Sequence, residues 1–480
     1  MTKSNDTEEI QEEEVHNEPK EYSCTDTGNM ERFVDQHQGY LRSLGTIKTW
    51  LVWDGTRWKP SDYAEVFKFA LETVQSIKTE VEQATGLTDA QNLQKWSVTS
   101  ENKPKTMAML DMASKHPSLV TKASSFDKQK MKLNCLNGIV DLETGQLNQR
   151  TSDDRHTKVI GTNFTPKAKC PNFDKFIKEV FGGDGELISW IQRAFGYSLT
   201  GSVQEQVLFI CYGTGANGKS TLLETISKIL GDYSTNADFE MFLSNQKSDV
   251  RVMEAVGELK GIRLALASEV DASKRFNESL VKRLTGGDTL RGTKLHMGAF
   301  QFEPQHKLWF LCNHIPFARD GSHGFWRRIK VIPFAQQFQG ASLDSSLPDK
   351  LWAEREGILA WMIRGAVAWA KELQKTNATT GLGSCKGIDQ SIEEYRCDND
   401  LSARFIEDCL VRDNDSGSVG ARELYHAYQR WWSDNSDEDT PSEGIFSRRM
   451  EERGLKKTRT KAGVVYKGVK LIKTNSSYNF

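Results

Sequence analysis

Short, nearly continuous apolar runs occupy the middle of this chain. They cover residues 207–212, 261–268, 307–312 and 330–334, and each has the length of a strand. A run without polar alternation predicts a strand buried on both faces, as in a parallel sheet covered by helices. Residues 222–230, directly after the first run, have helical spacing. The pattern therefore predicts an α/β core with a parallel sheet.

Residues 29–165 have a mixed pattern that predicts an α+β domain. The aromatic stretch 50–58 predicts a hairpin turned at Asp54-Gly55, and residues 134–145 predict a second short strand pair. The three tryptophans of the hairpin favour a packed core, with base stacking as the alternative. No Asp-x-Asp pair occurs before the core, which argues against a metal-dependent primase or polymerase site there.

Helical patterns flank the core on both sides. Residues 173–181 and 187–197 predict two helices before the first core strand, and residues 347–373 predict a long helix after the last. Tryptophans recur near helical spacing in that long helix and indicate core packing. A linker at 376–386, rich in Gly, Thr and Ser, then precedes a further helical stretch at 388–410.

The end of the chain predicts two helices, at 421–432 and 443–453, and a basic hairpin over 455–470. This order is typical of a winged-helix DNA-binding module. A solvated basic surface is the competing interpretation. The candidate DNA-binding residues on the second helix and the hairpin are Arg448, Arg449, Arg453, Lys456, Lys457 and Arg459.

Charge is unevenly distributed along the 480 residues, although the formal net charge is only −2. Residues 1–28 are strongly acidic and predict a disordered tail, whereas residues 448–473 are densely basic. The tail could compete with DNA for basic surfaces, but a solubilising tail is the favoured interpretation. The contrast suggests a nucleic-acid contact near the C-terminus.

Eight cysteines are scattered without a C-x-x-C pair, so neither zinc nor a disulfide framework is indicated. Cys135, Cys211 and Cys312 lie in apolar runs and predict buried, reduced thiols. No apolar run approaches the length of a membrane span, and the acidic N-terminus lacks the apolar segment of a secretory leader. We therefore expect a soluble, cytoplasmic protein of a reducing compartment.

A glycine-rich loop joins the first core strand to its helix. Residues 213–220 match the pattern G-x-x-x-x-G-K-[ST] in the strand–loop–helix context of a phosphate-binding loop. The glycines allow backbone N–H groups to surround phosphate oxygens, Lys219 adds a full positive charge, and Ser220 offers a hydroxyl to Mg²⁺. The predicted nucleotide-binding residues are Gly213, Thr214, Gly215, Ala216, Asn217, Gly218, Lys219, Ser220 and Thr221.

Polar residues at the ends of the later core strands complete the predicted catalytic set. Glu269 ends the second strand, where a carboxylate would bind Mg²⁺ and polarise the attacking water; Asp271 is the weaker candidate. Asn313 ends the third strand, where its amide could contact the γ-phosphate. Arg327 and Arg328 precede the fourth strand, and one of them suits an arginine finger acting on a neighbouring subunit. The sequence leaves open which one.

Residues 289–300 have two extended arms around a basic centre that contains Lys294 and His296. A β-hairpin here would carry cations into the central channel of a ring, where they would bind DNA phosphates. A surface loop with chance charge is the alternative.

This ordered set of motifs resembles the superfamily 3 helicases of the AAA+ class. It is most similar to the phage/plasmid primase-helicase family, which includes the poxvirus primase-helicase. The combination is more specific than the phosphate-binding loop alone. The matching stretches are 32–37, 53–58, 137–141, 213–221, Leu284-Thr285-Gly286-Gly287-Asp288 and Trp326-Arg327-Arg328.

The resemblance implies an ATP-driven homo-hexameric ring, with Mg²⁺, that moves 3′ to 5′ on single-stranded or forked DNA. It implies replication of a phage, plasmid or other mobile element in a bacterial or archaeal cytoplasm. Glu269 takes the Walker B role and Asn313 the sensor 1 role. Two features depart from the family: Ser268 occupies a position where some members carry a second acid, and no primase domain is evident. A separate primase or polymerase is therefore an expected partner.

Other classes of nucleotide-dependent protein are alternatives to the helicase. A GTPase is disfavoured because no N-K-x-D motif follows the phosphate-binding loop. The main rival is a DNA-dependent ATPase that melts origins or loads a partner without processive unwinding. A regulatory DNA-binding protein whose ATPase sets its assembly state is a third class. Displacement of a strand from a forked substrate distinguishes the helicase from both.

The motifs divide the chain into six expected segments. These are an acidic tail at 1–28, the α+β domain at 29–165, a helical lead-in at 166–205, the ATPase core at 206–345, a helical lid and linker at 346–412, and a winged-helix-like domain at 413–480.

Overall fold

A computed structural model describes most of the chain, and it divides into two compact units. Unit 1 comprises residues 1–164, 230–233 and 295–298, and unit 2 comprises residues 165–229, 234–294 and 299–480. The described residues are 20–45, 49–243, 249–268, 275–294, 298–316, 318, 323–339, 344–375, 378–398, 401–413, 417–435, 440–460 and 463–472.

Unit 1 combines helices with two antiparallel three-stranded sheets, of strand order β1-β2-β3 and β4-β5-β6. The predicted α+β class is thus confirmed. The elements are α1 (Asp26–His37), β1 (Leu41–Leu44), β2 (Thr49–Trp53), β3 (Trp58–Ser61), α2 (Tyr63–Gln83), α3 (Leu87–Ser100), α4 (Lys103–Ala113), β4 (Lys132–Cys135), β5 (Gly138–Asp141) and β6 (Leu147–Asn148).

The predicted aromatic hairpin is formed by β2 and β3, where Trp53 pairs with Trp58. Asp54 closes the turn, because its Oδ1 accepts from the backbone N–H groups of Thr56 and Arg57 at 2.8 Å. Trp58 is only 1% exposed, and its indole N–H donates to a backbone carbonyl 2.7 Å away. Core packing rather than base stacking therefore explains this tryptophan.

The second strand pair turns earlier than predicted. The apolar pattern predicts that residues 134–140 form the first strand of the pair. In the structure, β4 ends at Cys135 and β5 begins at Gly138. Gly138 has a φ of +147°, and a Cβ there would lie 2.5 Å from the carbonyl oxygen of Asn148. The backbone at this glycine therefore allows a tight turn that the apolar pattern concealed.

The expected disordered tail extends too far into the chain. Residues 1–19 lie outside the described residues, but α1 already begins at Asp26. The segment before it contacts that helix: the Lys20 ammonium and the Tyr22 hydroxyl both reach Asp35, at 2.6 and 2.9 Å. Thr25 caps the helix by accepting from the N–H of Gly28. These side-chain contacts order residues that composition alone assigns to the tail.

Unit 2 contains a five-stranded parallel sheet of order β13-β7-β12-β9-β8, with helices in the connections. Its elements are α5 (Pro171–Val180), α6 (Gly185–Leu199), β7 (Leu208–Tyr212), α7 (Lys219–Leu230), β8 (Ser234–Asn236), α8 (Asp249–Glu258), β9 (Leu264–Ser268), α9 (Glu278–Thr285), β10 (Leu290–Lys294), β11 (Gly298–Phe302), β12 (Lys307–Cys312), α10 (His323–Trp326) and β13 (Ile329–Pro333).

The four predicted core strands correspond to β7, β9, β12 and β13 of this sheet, which confirms the predicted α/β class. Apolar side chains of these strands, such as Leu208, Phe310 and Val331, are fully buried. The apolar pattern does not predict β8, an edge strand with the sequence Ser-Thr-Asn. A half-exposed edge strand has no need of an apolar run, so the pattern gives no signal for it.

The helical region after the sheet is divided more finely than predicted. Residues 347–373 form α11 (Leu347–Ala353) and α12 (Arg355–Leu373), separated at Glu354. The Glu354 carboxylate accepts from the first backbone N–H groups of α5, at 3.0 Å from Asn172 and 2.9 Å from Phe173. The break therefore places a cap on another helix. Residues 388–410 likewise divide, into α13 (Lys386–Asp398) and α14 (Leu401–Cys409).

A winged-helix-like module ends the chain, with a three-stranded sheet of order β15-β17-β16 and its own apolar core. Phe405 of α14 belongs to that core, so the module begins before the expected boundary at 413. Within the described residues, no helix is long and apolar enough to cross a membrane. The remaining elements are β14 (Leu410–Arg412), β15 (Ser418–Gly420), α15 (Ala421–Asn435), α16 (Glu443–Glu452), β16 (Lys457–Thr460), β17 (Gly463–Lys467) and β18 (Val469–Leu471).

Candidate functional site

The glycine-rich loop lies at the carboxyl end of β7 and leads directly into α7. Gly215 and Gly218 have φ values of +101° and +84°, which side chains rarely adopt. A Cβ at Gly213 would lie 2.5 Å from the carbonyl oxygen of Phe334, and one at Gly218 would lie 2.9 Å from a methyl group of Val180. The sequence therefore has glycine at these three positions, where the loop bends sharply or a Cβ would clash with its surroundings.

Lys219 begins α7 and is only 5% exposed. Its ammonium donates to the backbone carbonyl of Gly213 and, at 3.2 Å, to the side-chain oxygens of Asn217 and Asn313. Burial lowers the pKa of Lys219 from its ordinary value, and the neighbouring Cys211 and Cys312 oppose that shift. All three acceptors are neutral oxygens, so they orient the ammonium without neutralising its charge.

Asn313 follows β12, which lies between β7 and β9 in the sheet and pairs with both. The carboxyl ends of both strands therefore lie at the same edge of the sheet, and the structure brings Asn313 to Lys219 from 94 residues away in the chain. Thr214 and Ser220 are exposed at this edge, and Thr221 is half-buried. These side chains remain accessible to a ligand on the loop.

A segment that the sequence analysis did not identify braces the glycine-rich loop. Residues 334–339 leave β13 and cross the loop, where the N–H of Phe338 donates to the carbonyl of Ala216 at 2.7 Å. The amide of Gln337 donates to the hydroxyl of Thr214 at 2.9 Å. Ala216 has a φ of +48°, so this contact supports an unfavourable backbone conformation. No motif marks the segment, because it acts mainly through its backbone.

The predicted acidic residues Glu269 and Asp271 lie outside the described residues. β9 ends at Ser268, which pairs with Leu311 near the end of β12. A cavity of about 520 Å³ occupies this part of the carboxyl edge. Within the described part of the chain, no cluster of three or more His, Cys, Asp or Glu side chains could hold a metal ion. The cavity is lined by residues that include Glu224, Asn236, Asp238, Glu240 and Ser268.

Arg327 and Arg328 lie at the opposite, amino edge of the sheet, immediately before β13. Arg328 is half-buried: its Nε donates to the hydroxyl of Thr285 at 3.1 Å and its Nη1 to the carbonyl of Gly324. Burial lowers the pKa of Arg328, and the adjacent charge of Arg327 lowers it further. Arg327 is exposed, and its Nη2 donates to Gln206. The T-G-G-D and W-R-R motifs thus meet at Thr285.

The two candidate DNA-binding surfaces are described to different extents. β10 and β11 form the predicted two-stranded hairpin, but the side chain of Lys294 and all of His296 lie outside the described residues. In the C-terminal module, four of the six predicted basic residues lie on α16 and β16, and Arg453 and Lys456 lie between these two elements. Lys456, Lys457 and Arg459 are exposed, as is Arg448, whereas Arg449 and Arg453 are half-buried.

Two family descriptions match the chain. The first, "D5 N terminal like", matches residues 30–182, and the second, a family of unknown function (DUF5906), matches residues 211–328. The first match ends just after α5, and the second extends from the end of β7 to Arg328. Together they include the aromatic hairpin, the glycine-rich loop, Asn313 and the arginine pair.

The curated relatives are viral proteins of greater length. A candidate helicase of Acanthamoeba polyphaga mimivirus is 29% identical over 62% of this chain and 32% of its own length. A candidate helicase of Invertebrate iridescent virus 6 is 26% identical over 64% and 35%. A candidate primase of African swine fever virus is 22% identical over 51% and 27%. The chain spans about a third or less of the length of these relatives.

Among solved structures, the apo form of the NrS-1 C-terminal region, residues 305–718, resembles this chain with a TM-score of 0.51. The likeness covers 92% of this chain and 99% of that one at 10% sequence identity. At this identity the likeness concerns the fold alone.

Proposed function

We propose that this chain, which belongs to the D5-like primase-helicase family of superfamily 3, hydrolyses ATP to separate the strands of DNA. The matched regions and the relatives named as candidate helicases support this proposal. ATP as the nucleotide, the AAA+ class, a hexameric ring, 3′ to 5′ movement and a role in mobile-element replication belong to the proposal.

One observation carries the proposal: Lys219 and Asn313 meet at 3.2 Å beside a glycine-rich loop at the carboxyl edge of a parallel sheet. Ligands of open α/β sheets bind at this edge, and a helix N-terminus with free N–H groups favours phosphate there. In the proposed complex, Lys219 exchanges its neutral acceptors for the β- and γ-phosphate oxygens. Asn313 then donates its amide N–H to the γ-phosphate or orients the attacking water.

The residues at this edge also fit a magnesium ion. Ser220 presents an exposed hydroxyl in the first turn of α7, and Glu269 follows directly after β9 in the sequence. Hydroxyl and carboxylate oxygens are ligands that Mg²⁺ accepts together with phosphates. When bound, the ion would neutralise charge that develops on the phosphate oxygens. We propose Glu269 as the residue that polarises the attacking water, with Asp271 as the weaker candidate.

The arginine pair supports action on a neighbouring subunit. β7 has five residues, which corresponds to roughly 17 Å between the glycine-rich loop at one end and Gln206 at the other. An arginine next to Gln206 therefore lies too far from the loop of its own protomer to contact a bound γ-phosphate. We propose Arg327, the exposed member, as the finger that completes the ATP site of the next protomer in a ring, and Arg328 as its structural support.

DNA contacts are assigned to two surfaces. The β10–β11 hairpin, with Lys294 and His296, would face the channel of the ring, and the basic residues of α16 and β16 would bind DNA phosphates. Four of those six side chains are exposed and therefore accessible to DNA phosphates. A primase or polymerase is a proposed partner, because one of the relatives is named as a candidate primase.

The test combines two measurements on the purified chain: ATP hydrolysis with and without single-stranded DNA, and strand displacement from a 3′-tailed fork. We expect DNA to stimulate hydrolysis and the fork to be unwound, with Lys219→Ala inactive in both assays. Stimulated hydrolysis without displacement would favour the rival, an ATPase that melts origins or loads a partner. If DNA does not change the rate of hydrolysis, the DNA-binding roles of the β10–β11 hairpin and of the C-terminal module would both be contradicted.

A further inference from the structure

Gln206 holds both arginines of the pair, although no motif includes it. Its Oε1 accepts from Nη2 of Arg327 and, at 3.4 Å, from Nη2 of Arg328. The arginines lie 121 and 122 residues later in the chain. A single amide oxygen therefore fixes the distance between two guanidinium groups that would otherwise repel each other.

The backbone of Gln206 is strained in a way that favours this contact. Its φ is +53°, in the left-handed region that residues other than glycine and asparagine rarely adopt. Such strain persists only when the surrounding structure compensates for it, and it is common at functional sites. Gln206 immediately precedes Val207 and the strand β7, where the N–H of Leu208 donates to the carbonyl of Arg328 at 2.7 Å. Backbone and side chain thus attach the same short segment to the arginine pair.

The preceding residue connects this segment to the helical region. The Glu205 carboxylate accepts from the indole N–H of Trp369 and the backbone N–H of Gly381, both at 2.8 Å, and from the hydroxyl of Thr380. Trp369 lies on α12, which packs against α6 through close backbone contacts at Gly196 and Gly365. Residues 205 and 206 therefore join the arginine pair to the rigid α6–α12 packing through two adjacent side chains.

We propose that Gln206 is a positioning residue that orients Arg327 towards the ATP site of the neighbouring protomer. The inference rests on the proposed function, because it assigns a support to the proposed trans-acting finger. Gln206 touches neither substrate nor reacting atoms in this assignment. It acts by restricting the guanidinium of Arg327 to the geometry in which that group can reach a γ-phosphate.

The chemistry of the side chain suits this role. An amide oxygen accepts hydrogen bonds from two guanidinium groups but carries no net charge, so the full positive charge of Arg327 remains available to phosphate. A carboxylate would form a stronger, bidentate ion pair and offset that charge. We therefore expect Gln206→Glu to lower the rate of hydrolysis even though it strengthens the contact.

The experiment compares Gln206→Ala with Gln204→Ala, an exposed glutamine two residues earlier whose side chain lies outside this contact. We expect Gln206→Ala to lower kcat for ATP hydrolysis roughly 10- to 100-fold with little change in KM, because geometry rather than ground-state binding is lost. Gln204→Ala should leave kcat unchanged. Wild-type activity of Gln206→Ala would overturn the proposal.

Mixing the variants separates positioning of the finger from damage to the fold. A Gln206→Ala protomer keeps its own phosphate-binding loop, and a Lys219→Ala protomer keeps its own finger, so a mixed ring contains intact sites. We expect the mixture to hydrolyse ATP at several times the summed rates of the separate variants, as a mixture of Arg327→Ala with Lys219→Ala also should. An inactive Gln206→Ala that the mixture does not restore would mean that Gln206 acts on its own loop.

Two further outcomes keep the tests independent. If mixing Arg327→Ala with Lys219→Ala does not restore ATP hydrolysis, Arg327 is not a trans-acting finger. The proposed function is then wrong at this point, independently of Gln206. Gln206→Gly removes the side chain but suits the left-handed backbone, so it should melt no lower than Gln206→Ala and still lose kcat. A Gln206→Gly variant with wild-type kcat would show that the strained backbone, and not the amide, supports the arginines.

Discussion

The two ends of strand β7 differ in how they are built. At the carboxyl end, nine consecutive residues from Gly213 to Thr221 form the loop and the first turn of α7, and Asn313 and the segment 334–339 join them from a distance. At the amino end, Gln206, Thr285, Gly324 and Arg328 come from three separate parts of the chain. A phosphate-binding site can be local because backbone N–H groups do most of the binding, whereas an arginine must be held by side chains that only the fold brings together.

The largest expected effect tests the local end. Lys219→Ala removes the buried charge at the phosphate-binding loop and should lower ATP hydrolysis by at least about 10³-fold. The assay is steady-state hydrolysis with excess DNA, and Lys175→Ala, an exposed lysine of α5, serves as the control. Substantial hydrolysis by Lys219→Ala would place the ATP site elsewhere. The proposed difference between the two ends of β7 would then be wrong.

The two arginines should separate function from stability at the distant end. Arg327→Ala should lower kcat by about 10³-fold with an unchanged melting temperature, because an exposed finger contributes charge only at the neighbouring site. Arg328→Ala should instead lower the melting temperature, because it removes the half-buried donor to the hydroxyl of Thr285 and to the carbonyl of Gly324. Equal behaviour of the two variants in hydrolysis and thermal unfolding would refute the division of roles.

Asn313 tests one of the tertiary contributions to the carboxyl end. Asn313→Ala removes an acceptor of Lys219 and a donor to the proposed γ-phosphate, so kcat should fall by about 10²-fold. The affinity for ATP, measured by titration calorimetry, should change much less, since the loop itself remains. A loss of binding as large as the loss of rate would mean that Asn313 orders the loop instead of serving the reaction.

The smallest effect is a pH dependence that distinguishes Lys219 from an ordinary surface lysine. Burial lowers its pKa below 10.5, so in the window between the lowered and the ordinary value the unfolded chain binds more protons than the folded one. The contribution of Lys219 to the free energy of unfolding therefore rises with pH there, while affinity for ATP falls several-fold as the amine becomes neutral. Lys219→Arg, which stays charged, should show a flatter affinity profile across the same window when ATP binding is titrated at several pH values.

The elements that the sequence predicted well are those whose residues must satisfy a local requirement. The core strands β7, β9, β12 and β13 are buried on both faces and so need continuous apolar runs. The edge strand β8 needs none, and it was missed. The break at Glu354 was missed for a similar reason, because the residue caps the distant helix α5 and its own neighbours continue a helical pattern.

By itself, the sequence determined the fold class and the position of the glycine-rich loop, because glycine, lysine and apolar periodicity act on neighbouring residues. It also named Arg327 and Arg328 through their resemblance to a family motif. Only the tertiary structure decided that these arginines lie on the opposite sheet edge from the loop, that Arg328 is held while Arg327 is exposed, and that Gln206 joins them. The reason is physical: strand order and register set which distant side chains meet, and no spacing along the chain encodes that distance.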